Sequence, residues 1–158
     1  MKNIRHFTQL VLKEKRIPIL LALVILVGFF LRLYRLGAPS LWFDEISTAG
    51  RIDYPLSQII KNLFNSPFPP LYYTFMHLWV NIFGVSEITL RFPSLLFSTL
   101  SIFFIFNLAK ELYDDETGLI SALLLSVSPY SINYAQEAKM YSLLWLLGIL
   151  SFYYFYTK

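Results

Sequence analysis

The chain has 158 residues, enough for one modest domain, yet 56% are apolar and only 15% charged, a balance outside the soluble globular class. Having no cysteine, it can build neither a disulfide framework nor a thiolate metal site. Its net charge of +3 is uneven: residues 1–16 carry Lys2, Arg5, Lys13, Lys15 and Arg16 against Glu14, and the remainder is slightly acidic. A basic head before an apolar run reads as a cytoplasmic tail. No basic patch is interleaved with aromatics, so no nucleic-acid partner is expected.

Ile17 to Leu31 is uncharged and predicts a first membrane span if Arg32 and Arg35 snorkel at its far end. A signal peptide is the rival reading, but no small-residue cleavage site follows. The stretch 37–86 then reads as an outer loop. Asp44 to Gly50 suits a short helix, and Asp53 suits an N-cap ahead of Pro55. Leu56, Ile59, Ile60, Leu63 and Phe64 share one helical face, predicting an amphipathic helix flat on the membrane and stopped by Asn65-Ser66-Pro67. Pro69-Pro70 opens an aromatic helix, Leu71 to Phe83, closed by Gly84. Thirteen residues cover roughly 20 Å, short of the roughly 30 Å hydrocarbon core, so this helix is read as re-entrant or interfacial.

Three further spans follow. Phe92 to Ala109 begins with Pro93, and Ser86 or Glu87 can cap it. The acidic link Tyr113-Asp114-Asp115-Glu116 ends that span and offers an N-cap to Thr117 to Gln136, which carries Pro129 near its end. Met140 to Thr157 is the last. The predicted fold is all-α and polytopic, with about four transmembrane helices plus extracytoplasmic juxtamembrane helices, and with Asp44 and Glu137 on one face.

Four motifs in this order, Leu41-Trp42-Phe43-Asp44-Glu45, Pro69-Pro70-Leu71-Tyr72-Tyr73, Leu90-Arg91-Phe92-Pro93-Ser94 and Tyr134-Ala135-Gln136-Glu137-Ala138-Lys139-Met140-Tyr141, resemble the N-terminal part of a GT-C superfamily glycosyltransferase. Within that superfamily they look like the family 39-like enzymes: protein O-mannosyltransferases, aminoarabinose transferases and the Rgt-like group. Such enzymes usually have eight or more spans, so the resemblance implies an N-terminal part, residues 17–158, behind a tail of 1–16. It also implies a sugar donor on a polyprenyl-phosphate carrier, a glycan, lipid or protein acceptor, and a multi-pass place in the cell membrane with an extracytoplasmic active face.

Asp44 matches the family's catalytic aspartate and is the candidate general base, because a carboxylate beside an acceptor hydroxyl can take its proton during attack. The rival reading of Asp44 and Glu45 is an acidic N-cap at a membrane surface. Neighbours in a helix point about 100° apart, so Glu45 is expected to orient the loop, bind the acceptor or help hold a divalent cation. Glu137 is the second candidate acid, with an ion pair to Lys139 or Arg91 as the plainer alternative. Many relatives carry an aspartate about where Tyr141 stands, a departure that Glu137 could offset. Arg91 and Lys139 suit a lipid phosphate or interfacial snorkelling. Trp42, Tyr72, Tyr73 and Tyr134 suit sugar rings or an aromatic belt, and His77 reads as a packing residue. Any metal would fall to Asp44 and Glu137. Two other functions stay open: a non-catalytic module that binds a lipid-linked sugar or pairs with a separate C-terminal half, and a transporter fragment.

Overall fold

A computed structural model of the chain describes residues 2–63 and 69–158, with side chains over 16–61 and 69–158. The side chains of the basic tail before Arg16, and the Phe64 and Asn65-Ser66-Pro67 positions, lie outside the described residues. In chain order the elements are α1 (Lys2–Leu33), α2 (Phe43–Ile52), α3 (Leu56–Leu63), α4 (Pro70–Phe83), α5 (Glu87–Leu112), α6 (Asp115–Val127), α7 (Pro129–Ala135) and α8 (Tyr141–Thr157). Among the described residues there is no strand.

Two helices are long and apolar enough to cross a membrane, Arg16–Leu33 of α1 and α5. The expected count of four is therefore not met by length alone. α8 has 17 residues, and the expected span over 117–136 is broken at Ser128, leaving α6 with 13. The break is proline chemistry: Pro129 has no N–H to continue the ladder, and Ser128 restarts it by accepting from the Ser131 N–H.

α5 is the central post, packed against α1, α6, α7 and α8. Ser94, Ser98 and Ser101 share one face of it and are all buried, which lets neighbouring backbones approach closely. Gly28 of α1 lets the helices meet closely here: a Cβ would lie 2.5 Å from Ile102 Cδ1 and 3.1 Å from Ser126 Cβ, and the Ile102 side chain would have to shift. Ser86 caps α5 from the Thr89 N–H, and Asp114 caps α6 from the Thr117 N–H at 2.7 Å, both as the sequence predicts. Asp53 does not cap α3; it closes α2 instead, because Pro55 takes the position whose carbonyl starts the next helix.

A second core joins α2, α3 and α4 to the top of α5 through Ile52, Ile59, Tyr72, Tyr73, Met76, Val80 and Leu90. Pro70 starts α4, and Gly84, at φ 77, ends it, where a left-handed residue favours glycine. The Arg91 guanidinium in the second turn of α5 bonds the Leu36 carbonyl. The segment between α1 and α5 thus leaves and re-enters one end of the bundle.

Arg32 corrects the snorkelling expectation. It is 0% exposed. Nε donates to Ser98 Oγ at 2.8 Å; Nη1 to the Gly28 and Ser126 carbonyls, both at 2.9 Å; Nη2 to the Leu125 carbonyl at 3.1 Å and Ser131 Oγ at 2.7 Å. Replacing Arg32 with Met strands several of these acceptors, at about 1–3 kcal/mol for each left unsatisfied. Thermal unfolding in detergent should show a loss of about 3 kcal/mol or more, with only part recovered by Arg32→Lys.

Candidate functional site

The site begins with two adjacent acids at the start of α2 that point in different directions. Glu45 turns inward and is fully buried. Arg91 grips it through two parallel bonds, Nε to Oε1 at 2.8 Å and Nη2 to Oε2 at 2.6 Å, the bidentate form that suits guanidinium and carboxylate. The Ala138 N–H adds a bond to Oε1 at 2.8 Å, and the Trp42 N–H reaches Oε2 at 3.4 Å. Burial alone would raise the Glu45 carboxyl. The hydrogen bonds and charge of Arg91, with the Ala138 and Trp42 N–H groups, hold it below its ordinary 4.5 instead.

Arg91 is equally occupied. Besides Glu45 it donates through Nη1 to the Leu36 and Pro39 carbonyls at 2.9 and 2.8 Å, and through Nη2 to the Ser40 carbonyl at 3.2 Å. A guanidinium has five N–H groups, and all five are engaged. Arg91 has no donor left for a lipid phosphate, which corrects that expectation. Glu45 is held between Arg91 and the Ala138 N–H, and so joins the start of α2 to α5 and to the link before α8.

Asp44 faces outward, 47% exposed, with Lys139 Nζ at 3.9 Å from Oδ1. One and two turns along the same face of α2 stand Thr48, whose hydroxyl donates to the Asp44 carbonyl at 3.1 Å, and Arg51, which sequence reasoning missed. The i, i+4, i+7 spacing from Asp44 is the signal that could have found both. Lys139 is 8% exposed; burial pulls its ammonium below the usual 10.5, against the Asp44 charge.

The link between α7 and α8 carries the rest. The Ser94 hydroxyl donates to the Lys139 carbonyl at 3.1 Å, and the Gln136 amide donates to the Arg32 and Tyr34 carbonyls at 3.0 and 2.8 Å, capping α1. Glu137 accepts from Asn133 Nδ2 at 2.9 Å and forms no ion pair with Lys139 or Arg91 by direct contact. Burial, then the charge of Glu45, raise its carboxyl above 4.5. Beside it lies a cavity of about 290 Å³ lined by Arg35, Trp42, Gln136 and Glu137, with the Glu45–Arg91 pair in its wall.

Trp42 is half-exposed, and Tyr141 is exposed with its ring edge-on to Tyr134 at 4.8 Å. Tyr72 is 0% exposed. It belongs to the α4–α5 core, so its expected contact with substrate is corrected. His77 bonds the Ile52 carbonyl through Nδ1 at 2.8 Å, tying α4 to the end of α2 as a packing residue. Among the described residues no three His, Asp or Glu side chains converge enough to hold a metal ion. Asp44 stands beside Lys139, and Glu137 accepts from Asn133.

Among the described residues every regular element is a helix, two helices are long and apolar enough to cross a membrane, and an exposed Asp44 carboxylate meets the buried Lys139 at one end of the bundle. The family model for dolichyl-phosphate-mannose-protein mannosyltransferases matches residues 67–158, more than half of the chain, and the protein belongs to that family. Its members are membrane glycosyltransferases with lipid-linked donors. The match begins downstream of Asp44 and Glu45. No curated protein and no solved structure matches the chain.

The Glu45 shift has a testable sign. A carboxyl held low in the folded state contributes stability above its unfolded value near 4.5, and that stability is lost as pH falls through the lower folded value. Protease cutting within 37–69 should rise in acid for the native chain. Glu45→Ala should open the same loop already at pH 7, at a cost of about 3–5 kcal/mol for breaking a buried pair.

Proposed function

We propose that the chain is the N-terminal part of a transferase that moves a sugar from a polyprenyl-phosphate carrier to a hydroxyl on an extracytoplasmic acceptor, with Asp44 as general base. The observation that carries this is the division between the two acids. Glu45 is consumed by Arg91, while Asp44 stays open to a substrate beside Lys139. The acceptor oxygen attacks the anomeric carbon, and its proton passes to Asp44. The bond from that carbon to the phosphate oxygen breaks, and the phosphate leaves with the electron pair. Attack opposite the phosphate inverts the anomeric centre. Lys139 sits where it can meet the phosphate's growing charge.

In this reading α1, α5, α6 with α7, and α8 make four crossings of the cell membrane, with residues 1–16 in the cytoplasm and the loop 37–86 outside. Reporter tags after Gly84 and after Ser131 should both report the outer side; a cytosolic signal from the first would dismantle the arrangement.

Asp44→Asn should lower transfer from labelled polyprenyl-linked sugars by about 10²–10⁴, with donor binding retained. Unchanged transfer would remove Asp44 as base. Lys139→Met should raise KM for the donor more than it lowers kcat. Because the Lys139 ammonium is held below 10.5, donor affinity should fall on the alkaline side earlier than an ordinary lysine dictates. Lys139→Arg should move that limb to higher pH.

A further inference from the structure

We infer that the cavity beyond the end of α1 holds the headgroup of a zwitterionic bilayer phospholipid, with its phosphate on Arg35 and its protonated amine on Glu137. Four charged side chains line the cavity, and two of them, Glu45 and Arg91, already neutralise each other in its wall. Arg35 is exposed, Glu137 accepts from Asn133, and among the described residues neither of the two forms an ion pair. One cation and one carboxylate therefore border the same space of about 290 Å³. A simple anion would be drawn to Arg35 and repelled by Glu137, and a simple cation the reverse. A short ligand that carries both charges and no net charge suits both walls.

Depth points to a membrane source. Arg16–Leu33 is long and apolar enough to cross a bilayer, and Arg35 follows within two residues, where headgroups lie if α1 crosses. Phe30, Leu31 and Leu33 in the last turn of α1, and Tyr34 after it, are exposed. They offer an apolar surface to acyl chains hanging from a headgroup at Arg35. Neither Asp44 nor Lys139 lines the cavity, so this lipid is bound apart from the reacting corner.

The backbone at Arg35 makes its removal interpretable. Among the described residues it is the one residue other than glycine with a positive φ, at 58, a conformation that glycine adopts at lower cost. Arg35→Gly removes the guanidinium while easing the backbone, so binding lost in this variant is not lost through the fold.

The inference rests on α1 as a crossing and not on sugar transfer. The full chain would be taken from nanodiscs of equal parts phosphatidylethanolamine, phosphatidylglycerol and phosphatidylcholine, and the retained lipid identified by native mass spectrometry. Phosphatidylethanolamine should be retained about tenfold over each of the others. Phosphatidylglycerol has no amine for Glu137, and the methylated amine of phosphatidylcholine has no N–H to donate. Glu137→Gln should let phosphatidylglycerol bind as well as phosphatidylethanolamine. Arg35→Gly should release both, and Arg35→Lys should keep most of the preference. Soluble phosphoethanolamine should compete only in large excess; displacement at equal concentration would overturn the membrane source. Equal retention of the three lipids, or a preference untouched by both Arg35→Gly and Glu137→Gln, would overturn the site. A chain that kept this preference yet transferred no sugar would uphold the site and remove the transferase reading alone.

Discussion

The buried pair of Glu45 and Arg91 is the interaction on which the end of the bundle that carries α2 and α4 depends. It ties together the chain after α1, the first turn of α2, the second turn of α5 and the link before α8. A buried ion pair is a poor source of stability unless every remaining donor and acceptor is met. Here the carbonyls of Leu36, Pro39 and Ser40 and the N–H of Ala138 complete it. The result specifies geometry: four segments distant in sequence can share this point in only one arrangement.

The bundle below is organised by a similar logic, with prolines in place of charges. A proline leaves the carbonyl four residues earlier without its usual partner. Pro93 strands the Thr89 carbonyl, which the Trp79 indole takes at 2.9 Å. Pro129 strands the Leu125 carbonyl, and the adjacent Ser126 carbonyl loses its partner as the helix breaks. Arg32 takes both. That explains how a guanidinium can be enclosed without a carboxylate. It serves as the C-cap of α6, where carbonyls and the helix dipole favour a cation, and α6 can stop mid-bundle because α1 supplies the missing donor.

These cross-chain bonds mark the border of what the sequence could tell. Apart from the break at Ser128, the helical elements, the caps at Ser86 and Asp114, and the divergence of Asp44 from Glu45 follow from local chemistry and are legible in the chain. The fates of Arg32 and Arg91 were not. Each arginine sits next to an apolar run, and from sequence an arginine there snorkels to water, meets a phosphate or turns inward with equal ease. Only the distant serines and carbonyls decide. Tyr72 misled for the same reason, since an aromatic belt, a sugar platform and a core residue share one composition. Asn133 and Gln136 gave no signal at all, because their importance lies in which atom each amide has already committed.

The link between α7 and α8 shows how the two halves of the argument meet. Ala138 is fully buried, and its N–H is fixed on Glu45, so its neighbours cannot both swing out to water. Glu137 is directed to one side, beside Asn133 and the cavity; Lys139 is directed to the other, beside Asp44. The same anchoring that holds the α1–α5 segment to the bundle therefore sets an acid and a cation on opposite flanks of one short turn. Burial raises the first group's pKa and lowers the second's, bringing both nearer to neutrality. Groups poised in this way are common where protons and charges are exchanged. On this view the second acid of the Asp-Glu pair acts at a distance: by holding Arg91 and Ala138 it decides where Lys139 stands, and so what the first acid faces.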